Sequence, residues 1–293
     1  MAEERARVLV TGASGNAGQA VCRRLLDAGY RVRMADVAPP RELDPRAEFL
    51  RVDTRTSEDV RRAVDGVDAV VHLAAWHSAH KPPVSDETIF AVNVDGTFNL
   101  ISACREHGIE ALVFASSMAF GWRGVYSVTK VIGEDLCRSF HEMTGASVAM
   151  LRYHEFIPRP YLEFGAYLLQ NGIDRRDVAE STLAALKAAI DRRIGLFLTI
   201  VHTNHGMPGH VVDDFARFGP DWCEEQVPGA RHLLDKYKIP LPEKIEQHDL
   251  SEARRVLGWE PRVGFLDFLR DLRERDARDE DVFHIWVPSE LPG

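Results

Sequence analysis

One stretch near the amino terminus restricts the fold more than any other. Residues 11–18 read TGASGNAG; they follow a short apolar run, RVLVT (7–11), and open a helical pattern, NAGQAVCRRLLDAG. A strand that turns through glycines straight into a helix belongs to a parallel arrangement, because parallel neighbours need a crossover rather than a hairpin. The alternation continues. Strand patterns lie at RVRMAD (31–36), AEFLRVD (47–53), DAVVHLAA (68–75), ALVFASS (111–117) and SVAMLRY (147–153). Helical patterns separate them at SEDVRRAVDG, with Ser57 as N-cap and Gly66 past its end, at Glu87 to His107, and at Tyr126 to Met143. Repeated strand–helix units with right-handed crossovers predict an α/β fold with a Rossmann-type doubly wound parallel sheet.

Beyond residue 153 the pattern loosens. DRRDVAESTLAALKAAI (174–190) reads as a helix and GLFLTIV (195–201) as a strand, so residues about 173–201 return to the core. Thr203 to Gly229 is rich in His, Gly and Pro and reads as a small, loop-rich C-terminal lobe. SEARRVLGW reads as a short helix capped by Ser251 and ended by Gly258. The expected organisation is a dinucleotide-binding core over 1–153 and a substrate lobe over 154–293, integrated as one domain. The 293 residues carry a net charge of −9, which disfavours nonspecific binding to nucleic acid or anionic membrane. No apolar run approaches the roughly 20 residues that span a bilayer. The four cysteines are scattered, and the charged start MAEERARVLVTG lacks a signal-peptide pattern, so a cytoplasmic protein is expected.

Gly12, Gly15 and Gly18 have T-G-x-x-G-x-x-G spacing, with Ser14, Asn16 and Ala17 between them. Glycine lets the backbone turn sharply and approach a pyrophosphate, and the helix N-terminus presents free N–H groups to it. Asp36 closes the second strand, where a carboxylate accepts from ribose hydroxyls and repels a 2′-phosphate, which favours NAD over NADP. Arg33 and Arg41 are near enough in sequence to leave some NADP use open. Asp53 ends the third strand, facing an adenine position, with Thr54 beside it. Leu73, Ala74 and Ala75 end the fourth strand, and small side chains there let a cofactor lie against the sheet edge.

Ten ordered pieces, TGASGNAG, Asp36, VDT, HLAA, NVDGT, FASS, YSVTK, LRY, DRRDVAES and ARRVLGWEP, run through nearly the whole chain. In these the sequence resembles the extended short-chain dehydrogenase/reductases, the NAD-dependent epimerase/dehydratase family, nearest to its small uronate-dehydrogenase-like branch. The resemblance implies Tyr126 as acid/base, Lys130 as its tuner and ribose anchor, and Ser117 as the positioning hydroxyl, with Ser116 as the alternative serine. At four residues apart, Tyr126 and Lys130 share a helix face, and the ammonium is expected to lower the phenol pKa toward working pH. Asn93 is expected to stabilise the active-site end of its helix, and a plain surface-polar role stays open. Ala115, Tyr153 and Glu155 complete the expected cofactor contacts. A homodimer through the helices around Glu87–His107 and Tyr126–Met143 is implied as well, with Ile101, Val131, Leu136 and Phe140 as apolar contributors or ordinary core.

Three departures narrow the substrate. Only MAFGWRGV links Ser117 to Tyr126, so Trp122 and Arg123 are the side chains left to form a substrate wall. In LRYHE, Glu155 stands where nucleotide-sugar enzymes of the family place an asparagine; a carboxylate beside a diphosphate is repulsive. Only Pro158 to Gly172 precedes IDRRDV. SSMAFG lacks the acid and base of the dehydratases. The uronate branch uses an arginine after the sixth strand, and Arg159 is a candidate by proximity alone. Trp76 and His77 are expected to meet a polyhydroxylated ligand, with Lys81 near them. Two histidine sets, His77/His80 and His202/His205/His210, invite a metal reading, but no carboxylate or cysteine completes a ligand set, and none is expected. The reading is an NAD-dependent oxidoreductase acting on a secondary hydroxyl or carbonyl of a free sugar, sugar acid or cyclitol. An NAD-retaining sugar epimerase and a catalytically silent NAD sensor remain alternatives.

Overall fold

The computed structural model describes residues 5–78, 83–170 and 172–287. In chain order its strands are β1 (Arg7–Thr11), β2 (Arg31–Asp36), β3 (Glu48–Arg51), β4 (Ala69–His72), β5 (Ala111–Ser117), β6 (Ser147–Tyr153), β7 (Arg159–Pro160), β8 (Leu196–Val201) and β9 (Trp286–Val287). Its α-helices are α1 (Asn16–Asp27), α2 (Ser57–Val64), α3 (Asp86–Phe90), α4 (Gly96–Glu106), α5 (Val125–Thr144), α6 (Tyr161–Leu168), α7 (Arg175–Ile190), α8 (Gly209–Asp213), α9 (Phe215–Gln226), α10 (Ala230–Lys236) and α11 (Phe265–Ala277). Seven strands form one sheet in the order β3-β2-β1-β4-β5-β6-β8, every pair parallel. This is the doubly wound Rossmann arrangement, with its switch of direction between β1 and β4.

Both faces of the sheet are covered, which is why its strands read as continuous apolar runs. Val8 and Val10 pack with Val21 and Leu25 of α1 and with Val178 and Leu186 of α7. Leu9, Val70 and Leu112 face the other way, onto Val60, Leu100 and Phe140 of α2, α4 and α5. Each such side chain contributes about 1.5–3 kcal/mol by leaving water. At the switch point the backbone is crowded. Gly12 has φ +67°, and a Cβ there would lie 2.7 Å from the Ala74 nitrogen. A Cβ on Gly18 would overlap the Gly12 carbonyl. Two of the three glycines are therefore demanded by the protein's own packing. At Gly15 a Cβ would meet only the Gly12 carbonyl, at 3.3 Å.

Four local expectations are corrected. Ser57 is the first helical residue of α2 and Thr56 holds the cap position. The helix expected over Glu87–His107 contains a π-helical turn, Ala91–Asp95, between α3 and α4. Thr203–Gly229 is not loop-rich: α8 and α9 occupy most of it. Its glycines and prolines read as breaks, yet Val211, Val212, Phe215 and Trp222 bury against Tyr161, Phe265 and Leu269 in a separate apolar cluster. Tertiary burial overrides weak propensity there. Farther on, Asp249 rather than Ser251 supplies the capping oxygen, accepting the Ser251 N–H at 2.8 Å. Among the described residues no helix is long and apolar enough to cross a membrane.

Asp177, on the first turn of α7, fastens the C-terminal segment to the core. It is buried, and its carboxylate accepts from the backbone N–H of Arg262 (2.9 Å) and of Val263 (2.9 Å), just before α11. Asp177→Ala would strand two donors, so a loss of about 2–3 kcal/mol is expected by urea denaturation, with Asp177→Asn losing less. Equal, negligible losses in both variants would contradict this role.

Candidate active site

The site is assembled at the carboxyl ends of β1, β4, β5 and β6. No side chain caps α1, so its first N–H groups point into the glycine turn without a protein partner from a capping side chain. Asp36 accepts from the Ser14 N–H at 3.0 Å, and Ser14 Oγ donates to the Ala38 carbonyl at 2.6 Å, which folds the turn against the end of β2. Asn16 Nδ2 donates to the Phe156 carbonyl at 2.6 Å, and Ala17 packs on the core. The open side of Gly15, the uncapped helix start and the Asp36 carboxylate together fit a dinucleotide. Asp53 is paired with Arg55 at 2.6 Å, and that hydrogen-bonded guanidinium holds its carboxyl below the usual range. Thr54 is buried beneath Gly96.

Hydrogen bonds then run from the glycine turn to the tyrosine. Leu73 N–H donates to the Thr11 carbonyl (3.2 Å) and Ala74 N–H to Thr11 Oγ1 (3.4 Å). His72 is fully buried between Thr11 Oγ1 (2.6 Å from Nδ1) and Thr97 Oγ1 (3.0 Å from Nε2). Burial, helped by the Lys130 charge, drives its pKa down to about 3, so the ring is neutral. Thr97 donates its own proton to the Asn93 carbonyl at 2.6 Å. It can therefore only accept from His72, which places the ring proton on Nε2 and leaves Nδ1 to accept from Thr11. Asn93, on the π-helical turn, is buried. Its Oδ1 accepts from the Trp76 N–H (2.8 Å), and its Nδ2 donates to the Trp76 carbonyl (3.0 Å) and to Thr129 Oγ1 (2.9 Å). Thr129 in turn donates to the Tyr126 carbonyl at 2.7 Å. The surface-polar alternative for Asn93 is thereby removed.

The Ser117 hydroxyl lies close enough to the Tyr126 phenol to lower its pKa, and the His77 ring packs against Tyr126 tilted by 55°, with centroids 4.1 Å apart. Lys130 is buried, donates Nζ to the Ala115 carbonyl at 2.9 Å, and lies 5.7 Å from the Tyr126 ring centre. The expected lowering of the phenol pKa is not what this arrangement gives. Burial pushes Tyr126 up, against the lowering effect of Ser117, and burial pulls Lys130 down to about 8. The ammonium is turned to a carbonyl and is itself short of solvent, so it does little for the phenol at rest.

Other expected site residues lie elsewhere. Ser116 is on the opposite pleat from Ser117; its Oγ donates to Glu134 at 2.5 Å, and Glu134 is paired in two-pronged fashion with Arg152 at 2.7 Å. The Tyr153 hydroxyl donates to Thr182 Oγ1 at 2.7 Å inside the core, because Thr182 spends its proton on the Val178 carbonyl; only the Tyr153 backbone reaches the edge. Arg159 is occupied by Glu155 and Glu163 and stacks over Tyr167. Glu155 is thus charge-compensated, which removes the repulsion argued against a diphosphate. Trp122 is 60% exposed on the link before α5. Ala75 and Trp76 are half-buried at the sheet edge. His80 and Lys81 lie outside the described residues. His202 and His205 are neighbours, ring centres 6.4 Å apart, whereas His210 packs on Phe218 in the lobe. Sequence reasoning missed Thr11, His72, Thr97 and Thr129; the available signal was a polar residue closing the apolar strands RVLVT and AVVH, and a threonine on each of the helical pieces NVDGT and YSVTK.

The inverted pKa pattern is directly measurable. In the ligand-free protein, the difference in tyrosinate absorbance between wild type and Tyr126→Phe should show no ionisation of Tyr126 below pH about 10, its ordinary value. A step from Tyr126 near neutral pH would contradict the burial argument.

The family model described as NAD dependent epimerase/dehydratase family matches residues 8–160. A uronate dehydrogenase from Agrobacterium fabrum is 33% identical over 170 residues, covering 53% of this chain and 63% of that protein. The uncharacterized protein y4nG of Sinorhizobium fredii is 32% identical over 304 residues, 87% of this chain and 74% of that one. The chain spans between 49% and 63% of the curated uronate dehydrogenases from Pseudomonas putida and Agrobacterium fabrum and of a 2-alkyl-3-oxoalkanoate reductase from Stenotrophomonas maltophilia. The crystal structure of uronate dehydrogenase from Agrobacterium tumefaciens has the same fold, with a TM-score of 0.66 at 23% identity over 93% of this chain and 90% of that one. With its glycine turn, its YSVTK helix and the matched span of 8–160, the chain belongs to the NAD dependent epimerase/dehydratase family.

Proposed function

We propose that the protein is an NAD-dependent oxidoreductase that interconverts a secondary hydroxyl and a carbonyl on a small polar substrate, with sugar acids the first class to try. The observation that carries this reading is the half-buried Tyr126 phenol beside Ser117, with the Lys130 ammonium 5.7 Å from its ring centre, one helical turn away. Gly12, Gly15, Gly18, the start of α1 and Asp36 would hold the dinucleotide. Bound NAD would supply the hydride acceptor. Everything else falls to the chain: Ser117 and Tyr126 hold the substrate oxygen, and Tyr126 gives or takes its proton. At rest Tyr126 is a phenol and therefore a proton donor, suited to carbonyl reduction. Oxidation needs the phenolate, and Lys130, charged below its pKa of about 8, is the group close enough to stabilise it.

The small-substrate reading is supported by the short link, Met118 to Val125, and by the stretch after Pro158, which folds into β7 and the packed helix α6 rather than a nucleotide-wrapping loop. It no longer rests on the charge of Glu155. The uronate dehydrogenase relatives favour sugar acids. An NAD-retaining epimerase is the second reading, because the same hydroxyl pair serves it. The four cysteines are buried and free, which suits a reducing cytoplasm. A homodimer through α4 and α5 is part of the proposal. Ile101 and Phe140 are core, but Phe98 (55% exposed), Val128 (53%) and Val131 leave an apolar face there.

NADH formation measured across a panel of sugars, sugar acids and cyclitols tests the reaction. At least one substrate should give stoichiometric NADH, and Tyr126→Phe should lower kcat by about 100-fold or more while NAD still binds. Product inversion with no net NADH would replace the dehydrogenase by the epimerase. NAD binding without turnover of any compound would leave only a sensor.

A further inference from the structure

Three histidines from separate segments meet at the carboxyl edge of the sheet. His154 follows β6, His202 follows β8, and His248 lies in the segment after α10. One ring nitrogen from each lies within 4.8 Å of the other two. His154 and His202 are buried, and His248 is nearly so. The strands fix the first two: Tyr153 pairs with Val201, and the His154 N–H donates to the Val201 carbonyl at 3.2 Å.

The hydrogen bonds show what the cluster lacks. His202 Nε2 lies 2.9 Å from the Gln170 carbonyl, which can only accept, so the ring proton is on Nε2. Nδ1 is then a bare lone pair, and it is buried with no hydrogen-bond partner among the described residues. A buried acceptor without a donor costs roughly as much as a lost hydrogen bond, unless something else fills the need. The two Nε2 atoms of His154 and His248 face each other at 3.1 Å. Neutral imidazoles sharing one proton can do this, but a metal ion satisfies all three lone pairs at once. Zinc–nitrogen bonds of about 2.0–2.1 Å in a tetrahedron put ligand nitrogens about 3.3 Å apart, close to the observed pair. The Gln170 carbonyl then serves as the outer partner that fixes a metal-ligating ring.

We propose that His154, His202 and His248 bind one divalent transition-metal ion of the zinc class. Three imidazoles and no carboxylate exclude magnesium and calcium, which take oxygen ligands. A fourth position remains for water or a ligand oxygen, as in open zinc sites. Glu246, with Oε1 3.7 Å from His248 Nε2, supplies nearby negative charge. His205 stands beside the trio with its Nε2 buried and likewise without a hydrogen-bond partner among the described residues. The ion would join the sheet edge to the segment that leads into the C-terminal helix. It would also lie one strand from Ser117, which pairs with Tyr153. Metal binding here is independent of which substrate Tyr126 serves. The spacing of His202, His205 and His210 pointed to a different set; the fold replaces two of them with residues distant in sequence.

Full-length protein, stripped with chelator and dialysed, should be titrated with cobalt(II) as the spectroscopic probe and with zinc in a thermal-shift assay. One equivalent of cobalt should give an intense visible spectrum of tetrahedral type, and zinc should raise the Tm. His248→Phe keeps the ring volume and removes one ligand; it should weaken binding by roughly 100-fold and abolish the zinc-dependent shift. His248→Ala serves as a second variant if the metal-free Tm of His248→Phe falls. His210→Ala, outside the trio, should bind as the wild type does. Weak octahedral cobalt binding by the wild type, or undiminished binding by both His248 variants, would overturn the site.

Discussion

A neutral, fully buried imidazole holds this site together. His72 sits at the end of β4 with a threonine on each ring nitrogen, and its proton must be on Nε2 because Thr97 has already given its own to a carbonyl. Through Thr11 it reaches the glycine turn, and through Thr97 and Asn93 it reaches the π-helical turn. Asn93 and Thr129 carry the connection on to the backbone of Tyr126. The links on both sides of His72 and from Asn93 to Thr129 are buried, so a break there leaves an unpaired polar group where water cannot replace it. The glycine turn and Tyr126 thus lie on different crossovers but share one set of hydrogen bonds.

The same burial sets the electrostatics. It keeps Tyr126 protonated and weakens the hold of Lys130 on its proton, the reverse of a preformed phenolate–ammonium pair. At rest the site therefore sets a neutral phenol beside a lysine whose proton is loosely held. Elsewhere the chain compensates its buried charges locally. Glu134 is held by Arg152 and Ser116, and Glu155 by Arg159, so neither carboxylate projects uncompensated charge into the cleft.

The sheet was legible in the sequence because parallel strands are buried on both faces and read as unbroken apolar runs, such as RVLVT and ALVFASS, between helical patterns. That Tyr126, Lys130 and Ser117 lie near one another was legible because Tyr126 and Lys130 are one turn apart and Ser117 ends a strand. What was not legible depends on pairings between distant segments. Ser116 and Ser117 are adjacent letters, and only the pleat sends one to Glu134 and the other to Tyr126. Tyr153 looked like an edge residue until Thr182, 29 positions away, took its hydroxyl. Arg159 looked like a free guanidinium until Glu155 and Glu163 closed on it. The helices of the lobe were hidden because Gly and Pro lower local propensity, while Phe215 and Trp222 form them by burial against α11 and its neighbours. His154 and His248 gave no signal at all, since they are 94 positions apart and meet only in the folded chain.

A single tautomer of His72 links the glycine turn to the helix of Tyr126. Nitrogen-15 NMR of the His72 ring tests it most directly. Nε2 should be protonated and Nδ1 bare, unchanged from neutral pH down to about pH 4, because burial pulls the ring pKa down to about 3. A proton on Nδ1, or an imidazolium signal at pH about 6 where an ordinary histidine titrates, would contradict the direction of every link drawn through it.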